Sequence, residues 1–414
     1  MRVAILSIGD ELLTGEVTDT NASHIAGRIY DCGARVYRHL TVPDDEEAIA
    51  QALTELAAAS DAVIVTGGLG PTPDDYTAQG AARAAGVELE LSQTALEHLA
   101  EFEKRIARPL HPANRRQALF PKGFRLIPNP LGTACGFGIT IGQAELFFLP
   151  GVPYEMERML AETVLPELAK RLRAPWRRIT LKLFGIPEAA IAERLEGALP
   201  ADAPVQLAYC VKYPEIHVIL RAAATDAQLM EEAAGEVRKR LAQYLFAEDE
   251  DTMDCVLARL LRESGVTLAL AESCTGGMIA ARITAVAGSS AYFLEGNVTY
   301  SNAAKSRMIG VPPELIERHG AVSAEVARAM AQGAREASGS DLALSVTGIA
   351  GPDGGTPEKP VGTVYIALAD AGSCRIERCN FQGDRDRVRS ITCFTALNWL
   401  REHLLIRHGA AAPD

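Results

Sequence analysis

TLALAESCTGG (Thr267–Gly277) is an apolar run of strand type that breaks into a turn holding a serine, a threonine and two glycines; Met278, Ile279, Arg282 and Ile283 then resume helical spacing. Strand, glycine turn and helix in that order build sheets covered by helices, and the order recurs along the chain. AVIVTGGLGPTPDD (Ala62–Asp75) and LALSVTGIAGPDGG (Leu342–Gly355) both show it. Upstream, Arg2–Ile8 ends at Gly9 and a helical pattern through Ala22, Ile25, Ala26 and Ile29 stops near Gly33. Arg35–Val42, the helix start Pro43-Asp44-Asp45 and the face Ile49, Leu53 and Leu56 continue the alternation. Signals at Leu146–Leu149 and Pro153–Leu172 carry this first α/β domain, with its parallel sheet, over residues 1–172.

The rhythm changes in 173–250. A strand (Ile179–Phe184), a helix (Ala189–Leu195), two strands (Val205–Val211, Ile216–Ala222) and a charged helix (Gln228–Tyr244) form a small α+β unit of KH-like order. RNA-binding modules of that kind clamp the backbone on a G-x-x-G loop, and none lies between Gly185 and Gly235, so the unit reads as a spacer or dimer-forming element. Glu248-Asp249-Glu250-Asp251 reads as a solvated linker. A third domain, 251–408, opens on an amphipathic helix (Met253, Val256, Leu257, Leu260, Leu261) closed by Gly265, and the tail Gly409–Asp414 reads as frayed.

At 414 residues, the chain has room for two or three domains of roughly 150 residues each. A net charge of -12 repels polyanions and argues against direct nucleic-acid binding. The eight cysteines show no C-x-x-C pair or zinc spacing and read as mostly buried thiols in a reducing cytosol. No apolar stretch reaches the roughly 18 residues of a membrane span and Met1–Ile8 lacks signal-peptide character, so a soluble cytoplasmic protein is expected, without membrane contact.

The chemistry-bearing residues cluster at the strand ends. In the turn after Thr267–Ala271, Ser273 or Thr275 can cap the following helix, or the helix-start N–H groups can serve an oxyanion or phosphate beside a serine nucleophile. Such a serine needs a base, and His319, His403 and His408 have no site-like context. Lys305, one turn into the helix after TYSNAAK (Thr299–Lys305), is the remaining partner, since a desolvated lysine loses its proton near neutral pH. Cys274 is the rival nucleophile, as a thiol beside a helix start has a lowered pKa. Arg385, Arg387 and Arg389 follow Gly383 at the start of the last helix and suit either a phosphate grip or an Asp–Arg surface lattice. In the first domain, Gly67, Gly68 and Gly70 form a candidate phosphate nest. Asp74 and Asp75 can be helix-start residues or, with Asp10 and Glu11, hold a divalent cation.

AESCTGG, TYSNAAK, TGIAGPDGG and the GDRD start of the last helix together resemble the C-terminal domain of the CinA competence/damage-inducible family, whose stand-alone form is nicotinamide-nucleotide amidase. The resemblance implies hydrolysis of nicotinamide mononucleotide to nicotinate mononucleotide and ammonia, in pyridine-nucleotide recycling, with no cofactor. It implies Ser273 as nucleophile, Lys305 as base, Tyr300 and Asn302 as neighbours shaping the site, Thr347 and Gly348 at the oxyanion region, Thr275 and Gly276 against the substrate, and Arg385 on its 5′-phosphate. Gln382 stands before Gly383 where that family usually has Pro. GDELLTG (Gly9–Gly15), TDTN (Thr18–Asn21), GGLGPTPDD, NPLGTA (Asn129–Ala134) and LPGVP (Leu149–Pro153) resemble the MoaB/MogA-like molybdopterin-binding domain of full-length CinA proteins, with Val152 where a second Pro is common. That resemblance implies a nucleotide or pterin pocket with metal-dependent ADP-ribose pyrophosphatase activity, and a homodimer. A non-catalytic adaptor with competence or repair protein partners is the alternative from another class; it would have no reason to keep Ser273 and Lys305 with two glycine turns.

Overall fold

The computed structural model describes residues 1–172, 176–200 and 202–407, so His408 and the tail Gly409–Asp414 lie outside the described residues. Two units are formed, one of Met1–Arg178 with Arg221–Ala227, the other of Ile179–Leu220 and the chain from Gln228 onward.

In the first unit, β1 (Arg2–Ile8), α1 (Thr20–Asp31), β2 (Arg35–Val42), α2 (Glu46–Ala59), β3 (Ala62–Thr66) and α3 (Thr77–Ala85) alternate as the apolar spacing requires. Asp19 caps α1 and Asp45 caps α2 through their carboxylates. β4 (Arg125–Ile127), β5 (Gly136–Ile141) and β6 (Ala144–Leu149) complete a sheet of order β2-β1-β3-β6-β5-β4. The first four strands are parallel; β5 and β4 extend them antiparallel. The expected parallel sheet is thus the core of a mixed one. Alternation cannot show the antiparallel flank, because β5 and β6 are joined by a short turn at Gly142 rather than a helix. Val3, Ile5 and Ile64 face one buried cluster and Ala4, Leu6, Val63 and Val65 the other, as expected for a sheet covered on both sides. Phe137 stacks on Phe148 at 4.2 Å and meets Phe120 edge-on.

The middle strands β7 (Trp176–Leu183), β8 (Gln206–Lys212), β9 (Glu215–Ala223) and β10 (Leu245–Glu248) pair in the order β8-β9-β7-β10, with α4 (Ala227–Arg240) before the last. β10 corrects the reading of the acidic run. Glu248 accepts both arms of the Arg238 guanidinium at 2.7 and 2.8 Å, and Asp249 accepts the Thr180 amide at 2.8 Å, so these carboxylates close the sheet. Charge composition alone hides partners that are distant in sequence.

The C-terminal sheet consists of β11 (Leu268–Glu272), β12 (Phe293–Val298), β13 (Leu342–Gly348), β14 (Thr363–Ala369) and β15 (Cys374–Asn380), in the order β12-β11-β13-β14-β15, parallel across the first three and antiparallel beyond. It is covered by α5 (Met253–Ser264), α6 (Met278–Ala285), α7 (Asn302–Ile309), α8 (Ala324–Ser338) and α9 (Arg385–Arg407). No helix among the described residues is long and apolar enough to cross a membrane. Of the cysteines, Cys135, Cys274 and Cys393 are buried, Cys255 is exposed and the others are half-buried, so the expectation of mostly buried thiols holds for a minority.

Gly333 in α8 lies against the last carbonyl of α7, the helix that carries Lys305, and a Cβ there would press into the Ile309 oxygen. Gly333→Ala gains about 1 kcal/mol of helix propensity but forces the two helices apart at about 1–3 kcal/mol. A lowered thermal unfolding midpoint is therefore expected, measured by calorimetry.

Candidate active site

Strand register assembles the site. Glu272 at the end of β11 lies between Val298 of β12 and Val346 of β13, so the residues that follow each, Ser273, Thr299 and Thr347, lie side by side at the carboxyl edge, the first two just past their strands and Thr347 still paired with Tyr365. That edge is where open α/β sheets present ligand crevices. The Ser273 amide donates to the Val346 carbonyl and the Thr299 amide to the Glu272 carbonyl, fixing both neighbours to the central strand.

Lys305 is 1 % exposed and its Nζ lies 3.1 Å from Ser273 Oγ and 2.8 Å from the Thr299 carbonyl. The register of α7 explains the reach. Ser301 caps that helix by accepting the Ala304 amide, which turns the side chain one position later inward over Thr299. Burial holds the Lys305 amine below the ordinary lysine range, opposed only by the neighbouring Cys274. Among the described residues no carboxylate lies within salt-bridge distance of it. The amine can therefore shed its proton and accept one from the Ser273 hydroxyl.

Glu272, to which the sequence reading gave no role, takes over the helix-start donors. Its buried carboxylate accepts the amides of Gly277, Ile279 and Ala280 at 3.0, 3.1 and 2.8 Å. The expected oxyanion or phosphate seat at the start of α6 is thus filled by the chain itself, and neither Ser273 nor Thr275 is the cap. A buried carboxylate is tolerable only with such partners. An anion-accepting signature in sequence does not reveal that the anion is internal.

The other candidates are distributed around the pair. The Thr275 hydroxyl is fully buried and finds no hydrogen-bond partner among the described residues, and its carbonyl accepts from Arg389 Nη2 at 3.1 Å; Gly276 beside it is exposed. Tyr300 is 59 % exposed and its hydroxyl accepts from Arg385 Nη2 at 2.8 Å, while Arg385 Nη1 donates to the Gly351 carbonyl at 2.7 Å. Thr347 turns its hydroxyl away to the Ala321 carbonyl at 2.8 Å, and Gly348 pairs with Val364 in the sheet. Asn302 lines a different, open cavity of about 540 Å³ with Ala303, Ser306 and Glu317. Burial pushes the Cys274 thiol up to about 12, the reverse of the lowered pKa expected beside a helix start. Its amide environment favours a thiolate, but desolvation is the larger effect. Arg389, singled out in the sequence with Arg385 and one helical turn beyond it, spends its side chain on the Thr275 carbonyl.

In the first unit a cavity of about 500 Å³ opens over the turn after β3, lined by Gly67, Gly68, Gly70, Asp19, Asn21 and several carboxylates. Gly67 has φ 104°, and a Cβ there would strike the Ile8 carbonyl. Asp75 is committed to this loop: it accepts the amides of Gly70 and Thr72 at 2.8 and 2.7 Å and the Thr72 hydroxyl at 2.6 Å, and helix α3 starts only at Thr77. Glu11 and the exposed Asp74 line the cavity, whereas Asp10 does not. Among the described residues no three His, Cys, Asp or Glu side chains gather as metal ligands, so these four carboxylates do not form a ready cation site. Asp44, unforeseen from the sequence, also lines the cavity, and burial, with the nearby carboxylates of Asp10, Glu11 and Asp75, holds it above the ordinary range.

The lowered Lys305 pKa has a sign that can be tested. Folding makes the charged amine less favourable, so the cost is complete below the lowered pKa and vanishes as pH rises through the ordinary lysine range. Relative to the parent protein, Lys305→Met is expected to be more stable at about pH 6 than at about pH 11, read from denaturant midpoints across that range.

Three family patterns match the chain: "CinA C-terminal domain" over residues 250–404, "Probable molybdopterin binding domain" over 4–170, and "Damage-inducible protein CinA KH domain" over 178–247. A CinA-like protein of Citrifermentans bemidjiense is 78% identical over 407 residues, covering 98% of both chains. One of Geobacter sulfurreducens is 57% identical over 411 residues, covering 98% of this chain and 100% of that one. The crystal structure of competence/damage inducible protein CihA from Agrobacterium tumefaciens is 41% identical and covers 36% of this chain and 93% of its own, with a TM-score of 0.35. With a MoaB/MogA-like first domain, a KH-like middle that lacks the G-x-x-G loop and a CinA C-terminal domain, the chain belongs to the CinA family.

Proposed function

We propose that the C-terminal domain is an amidase that converts nicotinamide mononucleotide to nicotinate mononucleotide and ammonia. The observation that carries this reading is the 3.1 Å contact between a buried, deprotonatable lysine and a serine at the carboxyl edge of the sheet. Neutral Lys305 takes the Ser273 proton as the oxygen attacks the carboxamide carbon. The resulting ammonium returns that proton to the departing nitrogen, and ammonia leaves an acyl-serine. Water then attacks the ester, giving its proton through Lys305 to Ser273 and releasing the carboxylate. The pyridinium ring withdraws electrons from its carboxamide, which makes a modestly activated hydroxyl sufficient. In its neutral form Lys305 gives one of its two amine hydrogens to the Thr299 carbonyl, which leaves the lone pair free to face Ser273. Arg385, steadied by Tyr300 and Gly351, has donors left over for the 5′-phosphate.

Ammonia release is expected from the purified protein and nicotinamide mononucleotide. Ser273→Ala and Lys305→Met should each lower kcat by about 1000-fold or more, while Cys274→Ala stays within a few-fold. A larger loss in Cys274→Ala than in Ser273→Ala would transfer the nucleophile to the thiol and overturn the mechanism.

A second reading concerns the first unit. The raised Asp44 carboxyl crowds other carboxylates beside a glycine nest, an arrangement that favours a diphosphate arriving as its divalent-metal complex. ADP-ribose is the candidate that the family resemblance supplies. Release of AMP from ADP-ribose should require added magnesium, stop with chelator and fall at least tenfold in Asp44→Asn; binding without cleavage would make the cavity a pocket only.

A further inference from the structure

The middle domain touches the amidase at one informative point. Its strands β8 and β9 join in a tight turn at Tyr213-Pro214, and the Tyr213 hydroxyl donates to the Arg387 carbonyl at 3.3 Å. The Arg387 guanidinium lies over the same ring, 4.8 Å from its centroid. Arg387 is two residues past Arg385, and its amide is held by Asp384 Oδ1 at 2.8 Å. A single turn of chain therefore has the middle-domain tyrosine on one side and, on the other, the Arg385–Tyr300 pair beside the Ser273–Lys305 site.

The hairpin is not a loose arm. Phe184, just past β7, packs against Phe394 of α9 with ring centroids 4.6 Å apart and planes tilted by 41°, and Phe246 of β10 meets the same ring edge-on at 5.3 Å. Phe246 and Ala247 share one buried cluster with Leu270, Ile279 and Val388, and Lys182 donates to the Asp251 carbonyl at 2.6 Å. Tyr213 is thus presented from a sheet whose position is fixed by the core of the domain it contacts.

We propose that Tyr213 is a positioning residue for anion recognition by the amidase: the hairpin tip fixes the backbone and guanidinium of Arg387, and thereby holds Arg385 toward the phosphate of the substrate. This rests on the reading of nicotinamide mononucleotide as substrate. It gives the middle domain a function suited to its lack of a nucleic-acid loop. A stacked guanidinium and one hydrogen bond at a half-exposed position together correspond to an effect on the order of tenfold.

The test compares nicotinamide mononucleotide with nicotinamide riboside, which lacks the phosphate, on the full-length protein. Tyr213→Ala should raise KM for the mononucleotide about tenfold with kcat within twofold, and leave kcat/KM for the riboside within twofold. Tyr213→Phe, which keeps the ring, should recover most of the loss. Arg385→Ala should remove the preference for the phosphorylated substrate. Equal losses on both substrates, or none on either, would overturn the positioning role while leaving the amidase reading intact. If the parent protein releases ammonia from neither compound, the substrate reading has failed. The claim for Tyr213 is then decided by inorganic phosphate: calorimetric Kd should rise about tenfold in Tyr213→Ala, and an unchanged Kd rejects it.

Discussion

A buried carboxylate organises the C-terminal domain. Glu272 is the last residue of β11, its main-chain oxygen tethers Thr299 just past the neighbouring strand, and its side chain grips three amides at the start of α6. Ser273 and Lys305 are each one step from this junction: the first is the next residue, the second hangs from the Thr299 carbonyl. A charge in so dry a place is tolerated because fixed dipoles surround it, and the same dipoles lock the turn in one conformation. The fixed spacing of Ser273 and Lys305 follows from that lock.

The two units handle charge in opposite ways. Around Lys305 no carboxylate among the described residues forms an ion pair, so desolvation is the largest influence on the amine, and it is the largest influence on Cys274 in the other direction. Around the glycine turn of the first unit, Glu11, Asp44, Asp74 and Asp75 line one cavity, and burial and its acidic neighbours hold the Asp44 carboxyl above the ordinary range. One environment suits proton transfer and the other suits a ligand that brings positive charge with it.

Much of the architecture could be read from the chain because apolar periodicity and glycine turns are local properties. The parallel strands, the caps at Asp19 and Asp45 and the amphipathic α5 follow from residues within a few positions of one another. What escaped depends on which partner a polar group finds once the chain is folded, whether that partner is near or far in sequence. The antiparallel flanks, the pairing of Glu248 with Arg238, the internal anion at α6 and the loop role of Asp75 all involve groups whose sequence looks equally suited to solvent or ligand. Residue types and resemblance singled out Ser273 and Lys305, but their separation comes only from the register of three strands and one helix cap. Thr347 shows the converse: a suggestive position beside a glycine turn whose hydroxyl is occupied elsewhere.

The ring of Phe394 has a bearing on modularity. Because Phe184 and Phe246 cover it, a C-terminal fragment cut off before Met253 would bare this ring on α9. A freestanding version of such a domain needs either a smaller, more polar residue at that place or a lid of its own. Separating the pieces by evolution or by engineering is therefore a problem of resurfacing one helix rather than of rebuilding the carboxyl edge of the sheet.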